Sequence, residues 1–92
     1  MKKIIAITMV ITLLGLTGAT AFAEISKADA KQIALNNAGF TADQVNFTEC
    51  HKDYEDGRRI YEVEFNKGRT EYEFDIDAVT GAVVDMDIDD LD

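Results

Sequence analysis

The sequence predicts an α+β domain, with one N-terminal helix packed on an antiparallel sheet of three to four strands in meander order. Three observations predict it. "ISKADAKQIALNNAGF" (25–40) places apolar residues at helical spacing between a capping serine and a terminating glycine. "RIYEVEF" (59–65) and "TEYEFDI" (70–76) alternate apolar and polar residues with period two, as half-buried strands do. "AVVDMDI" (82–88) alternates again after the turn signal Thr80-Gly81, so adjacent strands follow one another in chain order.

The chain opens "MKKIIAITMVITLLGLTGATAFA". Lys2 and Lys3, an apolar run from Ile4 to Leu16 and the small-residue end Ala21-Phe22-Ala23 make the three-part pattern of a secretory signal over residues 1–23, with cleavage before Glu24. The alternative is an uncleaved anchor, since the uncharged stretch Ile4 to Ala23 is long enough to span a bilayer. Gly15, Thr17, Gly18 and Thr20 dilute its second half and favour cleavage. No cysteine stands at the cleavage point for lipid attachment. The expected location is therefore exported, either extracellular or in the periplasm or cell envelope.

Within the helix, Ser26 is the N-cap, and Asp29 stands three residues on, where an acid suits both the capping box and the helix dipole. Ile25 can staple onto Ala30. Ala30, Ile33, Ala34 and Ala38 form the apolar stripe, and Gly39 supplies the left-handed C-terminal residue. In the sheet, a hairpin centred on Lys67-Gly68 sets Val63 opposite Tyr72, Tyr61 opposite Phe74, Glu64 opposite Glu71 and Glu62 opposite Glu73. Tyr61, Val63, Phe65, Tyr72, Phe74 and Ile76 then share one face. The preceding segment "VNFTECHKD" is a weaker strand. A loop Glu55-Asp56-Gly57 with Gly57 at positive φ sets Phe47 opposite Phe65 but leaves Glu49 on the core face, a conflict that a bulge or an uncovered sheet end resolves. In the last strand Val84, Met86 and Ile88 continue the apolar face, while Val83, Asp85 and Asp87 point away. The domain spans 24–88, followed by an acidic disordered tail over 89–92. Ile33, Tyr61, Val63, Tyr72 and Phe74 are the predicted core.

The helix "ISKADAKQIALNNAG", then "YEVEF", then "EYEFDIDAVTGAV" resemble a PepSY domain, the module of propeptides of thermolysin-like metallopeptidases and of several exported bacterial proteins. The likeness covers about Ile25 to Ile88, and its most specific part is Asp77-Ala78-Val79-Thr80-Gly81. It implies a domain that binds and restrains a protease and itself catalyses nothing. This chain carries one copy of the module and no attached peptidase, so another partner would also fit.

Charge and composition bound the partner classes. Cleavage leaves 69 of the 92 residues, with seven basic against eighteen acidic side chains and a net charge of −11. That charge argues against nucleic acid and, after cleavage, against membrane surfaces. It admits a protein with a basic patch, for which the resemblance suggests a secreted metallopeptidase, and weakly held divalent cations. Cys50 is the single cysteine, so no intrachain disulfide forms. Ser26, Cys50 and His51 are the sole serine, cysteine and histidine of the mature chain. Ser26 is occupied as a cap. Cys50 and His51, adjacent on a strand, face opposite sides and cannot form a thiolate–imidazole pair, and Cys50 is expected near Glu62 on the outer face. No catalytic site and no cofactor is expected.

No dedicated metal site is expected either. Asp85, Asp87 and Asp89 mimic the start of a calcium loop, but Asp90 stands where glycine is needed and the required glutamate is missing. Histidine and cysteine are too few for zinc. The candidate surface is instead the outer sheet face, with Glu62, Glu64, Glu71, Glu73, Asp75, Asp85 and Asp87. It serves either solubility or docking of a basic partner, and the second functional reading is a calcium-buffering cell-envelope protein. Asp77, Thr80 and Gly81 are read as structural turn residues.

Overall fold

The computed structural model describes residues 23–91, and the predicted signal segment lies outside them but for Ala23. Helix α1 (Lys27–Ala38) starts at a full capping box. Ser26 Oγ accepts from the Asp29 amide at 3.0 Å, and Asp29 Oδ2 accepts from the Ser26 amide at 3.2 Å. Such a cap contributes about 1 kcal/mol. Gly39 closes the helix at φ 83°, its amide donating to Leu35 O at 2.8 Å. Ala30, Ala34 and Leu35 are buried, with Ile33 and Ala38 packed beside them, so Leu35 joins the predicted stripe. A short 3₁₀ turn, Ala42–Gln44, leads into the sheet.

Strands β1 (Asn46–Glu55), β2 (Arg58–Lys67), β3 (Thr70–Asp77) and β4 (Val83–Asp90) form one antiparallel sheet in the order β1-β2-β3-β4. This is the predicted meander, with all four strands present. The helix packs chiefly over β2, with β1 and β3 to either side. Tyr61, Val63, Phe65, Phe74, Ile76 and Ala78 are buried beneath it. Phe65 is the aromatic centre, stacked on Phe74 and Tyr72 and met edge-on by Phe40 and Phe47. Tyr72 and Ile33 are half-buried at the margin of this cluster.

Three registers differ from the sequence expectation. The first hairpin closes on two residues, Asp56 (φ 50°) and Gly57 (φ 77°), so Glu55 pairs with Arg58 and does not join the loop. Two successive positive φ values are the I′ geometry that matches strand twist. A bulge between Phe47 and Glu49 keeps Phe47 opposite Phe65 while turning Glu49 to the outer face. It also brings Cys50 opposite Val63, packed against the core, so the outer-face placement of Cys50 is corrected. Burial pushes the Cys50 thiol up, with Lys31 and Lys27 partly opposing it.

The second hairpin turns on Gly68-Arg69, one residue later than expected, with Gly68 at φ 63°. Val63 therefore faces Phe74, Tyr61 faces Ile76 and Phe65 faces Tyr72. The expected partners were two residues out of step. Because strand side chains repeat every two residues, the slip exchanged partners without changing faces. In β4 an irregularity opposite Asp75/Ile76 reverses the valines: Val83 faces Ile76 and packs on the core, and Val84 is exposed. Met86 pairs with Phe74 and Ile88 with Tyr72, as the alternation requires. Asp89 and Asp90 belong to β4, paired with Glu71 and Thr70, where the sequence suggested a disordered tail.

The turn from β3 to β4 is built from the residues assigned to it. Asp77 Oδ1 accepts from the Val79 and Thr80 amides at 2.8 and 2.9 Å, and Thr80 Oγ1 accepts from Ala82 N at 3.1 Å. Gly81 sits at φ 80°, and a Cβ there would meet Ile33 Cδ1 at 3.3 Å. Strained backbone and contact with the helix act together, so Gly81→Ala should cost about 1–2 kcal/mol. Urea unfolding of that variant checks this, and an unchanged midpoint contradicts it.

The chain ahead of α1 is tied across the sheet. Ile25 N donates to Ala78 O at 2.8 Å, and Tyr61 OH donates to Ile25 O at 3.1 Å. Glu24 binds Lys52 Nζ at 2.7 Å and also Arg59. The Lys52 hydrogen bond holds the Glu24 carboxyl below its ordinary range. Two cations are thereby drawn to the helix side of the sheet.

Candidate functional site

Strand alternation dictates that whatever does not face the helix faces solvent, and on this sheet those positions are overwhelmingly acidic. Across the four strands they form transverse rows. One runs Glu49, Glu64, Glu73, Asp87; the next runs His51, Glu62, Asp75, Asp85; a shorter one pairs Glu71 with Asp89. All seven residues singled out from the sequence lie on this face. Their expected pairings were shifted: Glu62 opposes Asp75, not Glu73, and Glu64 opposes Glu73, not Glu71. The observed register opposes carboxylates at Glu49–Glu64, Glu62–Asp75, Glu64–Glu73, Glu73–Asp87, Asp75–Asp85 and Glu71–Asp89. Directly opposed like charges destabilise a sheet by about 0.2–1 kcal/mol each.

The repulsion registers in protonation. Asp75 is pushed up to about 6, first by partial burial and then by Glu55, Glu62, Asp85 and Glu73. Burial, with Glu73 and Glu49 beside it, raises Glu64; burial, with Glu62 and Asp87, raises Glu73. Asp75 is central to the surface relief. It lines a shallow cleft with Glu55, Asp56, Arg58, Ile60, Val84 and Asp85, and a second one with Glu73, Asp85 and Asp87. Ile60 is fully buried on this side of the sheet, away from the helix. It gives the first cleft an apolar floor beneath an acidic rim.

Three contributors escaped the sequence reading. Glu49 reaches the face only through the β1 bulge. Asp89 reaches it because β4 continues through Asp90. From the sequence, His51 is notable only as the neighbour of Cys50. The adjacent pair does project to opposite faces, and His51 instead sits between carboxylates, Nδ1 at 3.3 Å from Glu49 and Nε2 at 3.1 Å from Glu62. With Asp53 and Glu62, His51 forms the one His/Cys/Asp/Glu group among the described residues with metal-ligating proximity. Asp77, Thr80 and Gly81 are engaged in the β3–β4 turn.

Comparison with known proteins fits this description. Residues 24–87 match the family model PepSY, described as peptidase propeptide and YPEB domain. Similar proteins include the uncharacterized protein Spy1430 of Streptococcus pyogenes serotype M6, 37% identical over 62 residues, covering 67% of this chain and 48% of that protein. The uncharacterized protein YkoJ of Bacillus subtilis is 42% identical over 67 residues, covering 72% of this chain and 36% of that protein. The chain thus spans about half or less of the length of these relatives. No solved structure gives a significant match. With its helix, meander and Asp77–Gly81 turn inside the matched span, the chain belongs to the PepSY family.

Proposed function

We propose that the protein is a small exported, non-catalytic binding domain whose acidic sheet face docks a basic patch on a protein partner. A secreted metallopeptidase, inhibited or assisted in folding, is the favoured partner. The observation that carries this reading is the opposed carboxylate rows, a surface costly to the fold and uncovered by any other described part of the chain. Glu62, Glu64, Glu71, Glu73, Asp75, Asp85 and Asp87 are the docking residues in this reading. The family's description as a peptidase propeptide domain supports the choice of partner. Charge complementarity chiefly sets encounter rate and specificity, so association should weaken steeply with salt. Inhibition of a co-secreted metallopeptidase that falls as salt rises is the expected result; no inhibition at low salt removes the peptidase as target.

The same rows support a second reading, calcium buffering in the cell envelope. A ligand that prefers the folded chain must raise its melting temperature. A melting temperature indifferent to millimolar calcium excludes it.

A further inference from the structure

We propose that His51, Asp53 and Glu62 form a specific binding site for a divalent first-row metal ion of the zinc type, oriented by Glu49. The site shares Glu62 with the docking face but does not rest on the docking reading, and it runs against the expectation from residue counts of no zinc site. Counting histidines and cysteines does not register such a grouping, because two of its three donors are carboxylates brought together by strand pairing.

His51 and Asp53, two apart on β1, share a face, and Glu62 on β2 is the direct cross-strand partner of His51. One ligand atom from each lies within 4.8 Å of the others. His51 Nε2 and Glu62 Oε1 stand 3.1 Å apart. Two ligands about 2.1 Å from a shared ion, at angles between square and tetrahedral, are separated by about 3.0–3.4 Å. The two donors thus already hold the spacing that a bound ion imposes.

Neighbouring groups supply the orienting contacts that such sites use. Glu49 Oε2 lies 3.3 Å from Nδ1, the carboxylate–imidazole arrangement that fixes ring orientation and leaves Nε2 for the metal. Asp53 Oδ1 accepts from the Tyr54 amide at 2.8 Å, which holds that carboxyl and leaves its other oxygen available. Lys52 and Arg59 are drawn to the opposite side of the sheet by Glu24, and Arg58, on the same face as the site, is paired with Asp77 at 3.7 Å. One imidazole with two carboxylates suits zinc and its first-row neighbours better than calcium, which takes oxygen ligands throughout. The remaining coordination positions fall to water or to a partner's side chain.

The test is calorimetric titration of tag-free protein with zinc chloride at moderate salt, alongside His51→Asn, Glu62→Gln, Glu49→Gln, Asp87→Asn and Cys50→Ser variants. One ion per chain is expected. His51→Asn and Glu62→Gln should weaken binding by about 100-fold and Glu49→Gln by about tenfold, the range for ligands and their orienting partners. Asp87→Asn and Cys50→Ser should bind as the parent does. Nitrogen NMR of the imidazole gives a separate readout, in which zinc shifts Nε2 more than Nδ1. Unsaturable binding overturns the proposal, as does equal loss in Asp87→Asn, loss in Cys50→Ser, or no response at Nε2.

Discussion

Phe74→Ala should lower the unfolding free energy by about 3–5 kcal/mol, the cost of removing a fully buried aromatic and leaving a partly collapsed cavity. Phe74 is wholly inaccessible, stacks on Phe65 at 5.9 Å between centroids, and pairs with Val63 on one side and Met86 on the other. A domain of this size has about 4–10 kcal/mol of stability in all. The variant is therefore expected to lose a large part of its stability, with a urea midpoint far below that of the parent. A variant that melts like the parent contradicts the assignment of the buried face.

Asp75→Asn should do the reverse, making the protein more stable at pH 7. The Asp75 carboxyl moves from an ordinary value of 3.8 to about 6 on folding. Between those values the folded chain binds more protons than the unfolded one, so stability falls as pH rises from about 4 through 6. Above that window the full penalty of a charged Asp75 is present. Because water still screens much of this carboxyl, its removal is worth about 1 kcal/mol at pH 7, less than the bare shift implies. Urea unfolding at pH 5 and pH 7 reads both effects. The parent should be more stable at pH 5, and Asp75→Asn should flatten that dependence. A parent more stable at pH 7 than at pH 5, or an unstabilised variant, contradicts this account of the face. Glu64 and Glu73, also raised, act in the same direction.

The helix and the faces of the central strands were legible because each rests on a local rule. Ser26, Asp29 and Gly39 are positions where one residue type solves one backbone problem, and alternation in β2 and β3 depends only on period two. Pairing partners were less legible. A turn centred on Lys67-Gly68 and one on Gly68-Arg69 bury the same side chains, so hydrophobic pattern alone does not separate them. The bulges were the real gap. Both Phe47/Glu49 and the Val83/Val84 irregularity insert a residue into an edge strand, where hydrophobic pattern is weakest because the helix lies chiefly over β2. The conflict at Glu49 was visible from residue order, and the bulge resolves it. Val83 and Val84 gave no such signal, since two identical side chains exchange places. The seven acidic residues assigned to the outer face from alternation lie on it, but Glu49 and Asp89, which depend on the bulge and on the length of β4, are not legible in the sequence. The grouping of His51 and Asp53 with Glu62 depends on cross-strand register, which leaves no sequence motif.

The central claim is that the acidic rows serve a partner at the expense of the fold. It is tested most directly by combining Glu64→Gln, Glu73→Gln and Asp75→Asn and measuring stability and peptidase inhibition on the same samples. The triple variant should unfold at higher urea than the parent yet inhibit a co-secreted metallopeptidase about tenfold or more weakly at low salt. A triple variant that inhibits as well as the parent would contradict the claim, leaving the carboxylates to solubility or to calcium buffering.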